Sequence, residues 1–523
     1  MFMKQSSWKS NFFVLPLISF GLCFFLPISS KAQLIYQPYS YQFYQKMNSV
    51  QYSWETRQHT AVKPLIIDSV MKPLYDSLMN IGVRERVTWV GRKIWNEHLI
   101  EIEKEDYTFY ADYLPDLQLG RDFSGGGKNI WLNTRGFQVG GTVKDKFFFY
   151  TSGYENQAVF PDYVTDYINE NEVVPGQSFG KLAKEAKDWA YVSAIVGYSP
   201  VKHLNFSLAY DKNFIGDGYR SMLLSDVSSN YTSLKFKGVF GDIAVTSMLS
   251  YMLEPRMSQA LEFGRSSSQR KWGAFQYVDW NVDNKLSIGL FHSYLWGHRK
   301  LAMDNSLGFE TGYKEGSSGE MQIGLNTKYK VLRNASLYGQ LLLNKEMAAQ
   351  LGIRGYNAFG IRQLNFLAEY NFAKPYSYSD VDPLTSYTNY SQPLAHPMGA
   401  NFRELVGILN YSYHKFDFSL QGNYGIYGLD LPGSLNETEG NYGKDIYKPY
   451  NKDLAYDRGI GQGLKTNMIY IDGKVSYMLN PNHNLRIEAG GVIRRESNEN
   501  RETNSSLLTI GVRASFRNLY YDF

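Results

Sequence analysis

Cysteine is almost missing from this chain: Cys23 is the only one in 523 residues, and it sits in an apolar N-terminal stretch. The residues after it can form neither a disulfide nor a thiolate metal site, so hydrogen bonding and packing must hold the fold. Long apolar runs are missing too. Beyond the first thirty residues no stretch of about eighteen apolar residues occurs, which excludes a membrane-spanning helix. Net charge is small: the formal +4 includes Lys4, Lys9 and Lys31, and without them 51 basic residues face 50 acidic ones. A near-neutral surface gives no electrostatic footprint for a nucleic acid, so no nucleic-acid partner is expected. The eight histidines never fall at metal-ligand spacing, and Asp380-Val381-Asp382 lacks the further ligands of a calcium loop. Gly459-Ile460-Gly461-Gln462-Gly463 follows no strand-to-helix pattern and is a flexible loop, not a phosphate cradle. No metal and no cofactor are expected.

What the chain does have is tyrosine and glycine. Forty-two Tyr, 31 Phe and 9 Trp make 16% aromatic, beside 46 Gly. A cytosolic enzyme core draws mainly on Leu, Ile, Val and Ala, and a disordered chain would not carry so much apolar surface. Lys4 and Lys9 precede the apolar stretch Phe12–Ile28, and Ser29-Ser30-Lys31-Ala32 follows it. That order predicts a secretory signal over residues 1–32, cut after Ala32. Leu22 is bulky where a lipoprotein signal needs small residues before its cysteine, which argues against acylation of Cys23.

From about residue 128 onward the chain alternates with period two. Leu204, Phe206, Leu208 and Tyr210 alternate with Asn205, Ser207, Ala209 and Asp211, and the same spacing recurs in 243–251, 286–294, 416–420, 485–489 and 508–516. Such strands put one set of side chains on lipid and the other toward a lumen. Eight tight turns, near residues 144–146, 200–202, 241–242, 282–285, 332–334, 362–363, 414–415 and 480–484, separate longer polar stretches at 115–127, 155–188, 212–229, 254–270, 297–318, 345–355, 373–401, 428–463 and 496–505. Short and long connections in turn describe an outer-membrane barrel and not a sandwich. With a strand near Tyr107–Leu114 the count is about eighteen strands (16–18), both ends of the sheet lying on the periplasmic side. The expected class is an all-β transmembrane antiparallel β-barrel over 107–523, in the cell outer membrane. The chain finishes Leu519-Tyr520-Tyr521-Asp522-Phe523, an aromatic finish usual for such barrels, although alternation slips between Phe516 and Leu519, so that either a bulge intervenes or the strand stops before the tail. Before the sheet, Val62, Ile66, Val70, Leu74 and Leu78 follow an i+4 row, as do Val90 and Ile94 with Trp89 and Trp95 beside them. The spacing predicts periplasmic helices over 62–80 and 87–105, in a segment 33–106 that caps or plugs the barrel or docks periplasmic partners; Pro73 should kink the first.

The most distinctive stretch is Phe214-Ile215-Gly216-Asp217-Gly218-Tyr219-Arg220-Ser221-Met222-Leu223-Leu224-Ser225-Asp226. A loop of that makeup can fold back, anchor its Met222-Leu223-Leu224 patch on the wall, and hold Asp217, Arg220 and Asp226 in or near the lumen. Arg220 is expected either to pair with a carboxylate and fix the loop or to touch a ligand. This stretch, with Gln392-Pro393-Leu394-Ala395-His396-Pro397-Met398-Gly399-Ala400-Asn401-Phe402-Arg403-Glu404, resembles the Wzi capsule-assembly family and its gliding-motility relatives of RemB type. The chain lacks the Trp and Pro that the wider family carries beside Leu-Leu-Ser. The resemblance implies an outer-membrane surface protein, not an enzyme, that binds capsular polysaccharide or exopolysaccharide and supports gliding. Its partners would be outer-membrane lipid, surface polysaccharide, and periplasmic or motility proteins reached through the N-terminal helices. Sugars are held by aromatic faces and planar polar groups. The candidate glycan contacts are Asp217, Tyr219, Arg220, Asp226, Tyr378, Tyr387, His396 and Arg403. Loop tyrosines can equally pack the loops together, and His396 with Glu404 is better read as ordering its loop than as part of a hydrolytic site. A porin-like channel and a motility-machinery subunit are the alternative readings.

Overall fold

Alternation becomes a wall because each strand must satisfy every backbone group without water, which only a closed sheet allows in lipid. The computed structural model describes residues 35–523 apart from 84–85, 145, 182–183, 262–264, 298–318 and 432–439. The signal expected over 1–32 lies outside the described residues. Eighteen antiparallel strands close into a barrel: β1 (Tyr107–Asp122), β2 (Lys128–Val143), β3 (Phe147–Val159), β4 (Lys187–Val201), β5 (Leu204–Asp211), β6 (Tyr231–Phe240), β7 (Ile243–Leu261), β8 (Arg265–Asn281), β9 (Leu286–Gly297), β10 (Gly319–Leu332), β11 (Ala335–Leu343), β12 (Met347–Gly355), β13 (Leu364–Ala373), β14 (Phe402–Tyr413), β15 (Phe416–Leu429), β16 (Leu464–Asn480), β17 (Leu485–Ser497) and β18 (Glu502–Ala514). Sixteen residue pairs join β1 to β2, but only seven, from Leu507↔Asp122 to Arg513↔Asp116, close the seam between β18 and β1. At the foot of that seam Arg513 Nε donates to Asp116 Oδ1 at 3.0 Å.

The eight turns at one end fall where expected, the longest being 356–363. The other end differs from expectation. Residues 115–122, 254–261, 265–270, 347–355 and 502–505, read from the sequence as loop, are strand. Two reasons apply: 115–122 and 347–355 do alternate, with Leu117, Leu119 and Leu351 facing outward, whereas 254–261, 265–270 and 502–505 stay paired through their ladders after alternation in the sequence has faded.

The two faces differ as the period demands. Leu119, Leu290, Leu351, Leu508 and Ile510 point outward, each at least 60% exposed, while Asn326, Lys328, Gln340, Glu369 and Glu404 are buried facing in. Among the described residues, the N-terminal segment, loop 212–230 between β5 and β6, loop 374–401 between β13 and β14, and residues 515–523 pack inside the lumen. The helix expected over 62–80 is a correction: Val62–Lys63 pairs with Phe214–Ile215, and Leu65–Ile67 pairs with Ile35–Gln37. Pro64 interrupts helical bonding there and the β-branched residues suit strands. Only α1 (Lys72–Leu78) is helical, with Pro73 in its first turn, where the missing N–H does no harm, so it starts the helix and does not kink it. The second helix shrinks to α2 (Trp89–Trp95), followed by a strand at Ile100–Glu103 that pairs with β1. The last residues do not extend β18. After Ala514 the chain turns back into the lumen, where Phe516 joins Phe43, Met47, Met71 and Tyr75 in one apolar cluster.

Candidate functional site in the lumen

Loop 212–230 is positioned from both sides. Its apolar residues Met222, Leu223 and Leu224 are fully buried against Phe275, Phe291, Leu342, Leu394 and Ala395. Its backbone is read by the wall and by the neighbouring loop: Gln340 Oε1 accepts from Met222 N at 2.7 Å, Tyr387 OH donates to Leu223 O at 2.6 Å, and Tyr378 OH donates to Met222 O at 3.1 Å. Loop 374–401 adds a backbone bond, Ser225 N to Leu394 O at 2.8 Å. Gly218 lets the turn lie against β13, since a Cβ there would collide with the Glu369 carboxylate.

Three charged centres follow along the loop. Asp217 accepts from Tyr52 OH at 3.1 Å, from Thr60 Oγ1, and from Asn326 Nδ2 at 3.3 Å, with Lys328 Nζ at 3.9 Å. Burial alone would raise its proton affinity, but Lys328 and Lys63 outweigh that and hold the carboxyl well below the usual range. Lys63, donating to Gly216 O at 2.5 Å, is lowered by burial to about 7, with Asp217 opposing. Arg220 is the second centre. Its Nη2 lies 3.0 Å from Glu404 Oε1 and 2.8 Å from Asp522 Oδ2, while its N–H and that of Tyr219 donate to Glu369 at 3.2 and 2.5 Å. Tyr219 OH donates to Asp522 at 3.0 Å. Asp226, the third, accepts from Asn518 Nδ2 and Tyr520 OH, both at 2.8 Å. Residues 515–523 thus seat the loop from the opposite side.

His396 Nε2 is 2.8 Å from Glu404 Oε2, and its ring stacks on Phe402 at 4.2 Å. Burial pulls its proton affinity down to about 4, with the Glu404 charge opposing. That is a loop-ordering contact. Seven of the residues singled out in sequence, Asp217, Tyr219, Arg220, Asp226, Tyr378, Tyr387 and His396, therefore meet in one buried network with protein partners. Arg403 does not join it: it points outward from β14. Sequence reasoning missed Glu369, Asp522, Gln340, Tyr52 and Lys63. The wall residues among them carried a signal, polar side chains on the positions alternate to the apolar ones; the others carried none.

Between the lumenal tail and the inner wall of β1, β16, β17 and β18 lies a cavity of about 120 Å³ bounded by Tyr163, Tyr470, Tyr521, Asp472, Lys474 and Gln118. Gly120 and Gly490 lie on its wall side. Lys474 pairs with one Asp472 oxygen, and the other, Oδ1, is buried with no hydrogen-bond partner among the described residues. The helix α3 (Asp162–Asn171), from the connection between β3 and β4, covers the cavity at the end opposite the eight turns.

No protein-family model matches the sequence, and no curated protein does. Among solved structures the chain is similar to Wzi of Escherichia coli, described as an outer-membrane protein involved in group 1 capsule assembly and a carbohydrate-binding β-barrel. The TM-score is 0.56 at 13% identity, over 92% of this chain and 100% of that one. Likeness is weaker to OprD of Pseudomonas aeruginosa, with TM-score 0.41 and 10% identity over 77% and 94% of the two chains. OccAB4 of Acinetobacter baumannii gives 0.40 and 9% over 79% and 98%. The likeness to Wzi speaks for the fold: this is an all-β antiparallel barrel of the outer-membrane kind.

Proposed function

We propose that the chain is an outer-membrane surface protein that binds an extracellular polysaccharide, capsule or exopolysaccharide, at its long-loop end. The eight turns then face the periplasm and the long connections the outside. The observation that carries this reading is the filled lumen with a tyrosine-bounded cavity left beside the plug: buried charge closes the pore, while Tyr163, Tyr470 and Tyr521 with the unpartnered Asp472 oxygen offer what a sugar ring needs, apolar faces beside a hydroxyl acceptor. The carbohydrate binding described for Wzi supports the same class of ligand.

The test is retention. Purified protein in detergent should hold exopolysaccharide from its own cells, and Asp472→Ala should weaken that retention while the barrel stays folded. No retention of any surface glycan overturns the reading. Planar-bilayer recording should find almost no current, since a steady conductance would favour a channel. A deletion strain scored for both capsule retention and spreading separates polymer anchoring from a role in gliding.

A further inference from the structure

Seven large apolar side chains crowd into residues 87–102 and none is covered. Val87 is 92% exposed, Trp89 61%, Val90 57%, Ile100 51%, Leu99 46%, Ile94 43% and Ile102 40%. The segment is nevertheless fixed to the barrel at its turn end. Asn480 Nδ2 donates to Glu97 O at 2.9 Å and to Lys93 O at 3.2 Å, and Asn482 Nδ2 donates to Asn96 O at 2.8 Å. Lys415, in the turn between β14 and β15, lies 5.6 Å from the Trp95 ring centre. His98 stacks on Tyr110 at 4.2 Å, its Nδ1 2.6 Å from Asp112 Oδ2. Thus α2 lies against the turns β14–β15 and β16–β17, and the strand after it joins β1. A seven-residue helix has no stability of its own in water, so the surface it lies against must hold it.

The register shows what its free side adjoins. Ile100 pairs with Ala111 and Ile102 with Phe109. Paired residues share a face, and the odd-numbered positions of β1, Tyr113, Leu117 and Leu119 among them, are the outward ones. Ile100 and Ile102 therefore continue the wall's outward apolar band below the point where β18 stops. Tryptophan and basic residues are what such a boundary selects: an indole is apolar with one polar edge, and Lys or Arg stems lie on apolar surface while their charge reaches phosphate. Trp89 and Trp95 alternate here with Arg86, Arg92 and Lys93.

We infer that residues 87–102 form an interfacial anchor lying in the phospholipid leaflet on the turn side of the barrel, its uncovered apolar side chains seated among the acyl chains next to the headgroups. The occupant of this face is lipid, by continuity with the lipid-facing wall, and the inference rests on the membrane placement proposed above. It would extend the protein's hold on the bilayer sideways at the rim, where a strand wall alone ends abruptly.

The test uses the full chain reconstituted in phosphatidylethanolamine and phosphatidylglycerol vesicles, with Cys23→Ser and single nitroxide labels at Val87→Cys and Val90→Cys. Leu508→Cys on the outward wall and Asn500→Cys in an exposed connection are the references. Labels at 87 and 90 should be relaxed by oxygen and shielded from a water-soluble nickel complex, as at 508. If they behave like 500 while 508 reports lipid, the anchor is wrong and the membrane reading stands. If 508 too reports water, both fall. Shielding that appears in cells but not in pure lipid vesicles would assign the face to a periplasmic protein and overturn the inference.

Discussion

Loop 212–230 and the rim segment 87–102 part company with ordinary hydropathy in opposite directions. In the loop, Asp217, Arg220 and Asp226 are 1%, 1% and 3% exposed, while at the rim Val87 and Trp89 are 92% and 61% exposed. A protein surface facing water would not carry the second. The loop is stable because each charge meets a counter-charge or a hydrogen-bond donor brought by another part of the chain: Arg220 by Glu404 and Asp522, Asp226 by Asn518 and Tyr520. The rim is stable if the medium it faces is not water. Burial and polarity are therefore set independently in this architecture, by what fills the lumen and by what surrounds the wall.

The contrast breaks most sharply at Arg220. Replacing it by Met leaves Glu404 and Asp522 buried without a counter-charge and should cost about 3–5 kcal/mol, read as a lowered urea midpoint and as new ion conductance in planar bilayers. An unchanged midpoint and a silent bilayer would mean that the ion pair does not seat the loop. Next, depth can be sampled on the outer face: Leu508→Lys, mid-strand, should cost about 2–4 kcal/mol, but Ile102→Lys, at the rim, about 0–1 kcal/mol. Equal losses in refolding equilibria would place the two sites at the same depth. A smaller effect comes from pH. His396 stays neutral in the fold down to about 4, whereas an unfolded histidine takes up its proton near 6.5. The unfolded chain therefore binds more protons over that interval, so stability should fall as pH drops from about 6.5 to 4 and level off below. His396→Gln should flatten that limb of the unfolding midpoint against pH; an unaltered slope would assign it to other groups.

The wall was legible because lipid enforces it: Leu204 to Tyr210 and Leu508 to Val512 announce their strands by alternation alone. Residues 254–261 and 265–270 were not, since the sequence there shows no sustained alternation although the strands pair, from Glu254↔Gln269 to Leu261↔Arg265. The candidate site was half legible. The Gly216–Asp226 stretch stood out by its mix of glycine, charge and apolar patch, and Arg220 was expected either to take a carboxylate or to touch a ligand. Which carboxylate was hidden, because Asp522 lies 302 residues away and Glu404 184, and no local pattern encodes so distant a meeting. The i+4 row from Val62 to Leu78 misled for a related reason: its first half finds tertiary partners, Phe214 and Ile215, that favour strand over helix.

The clasp of Arg513 on Asp116 bears on how the cylinder finds its register. Every other neighbouring pair of wall strands is joined by a chain connection that limits how far it can slip; β18 and β1 meet with nothing to align them but the ladder itself. Sliding that seam by one residue would turn Arg513 from the lumen to the hydrocarbon, at about 2–4 kcal/mol, and take it from both Asp116 and Glu488. The last join is thus a keyed one, in which a single misplaced cation sets the wrong closure above the right one.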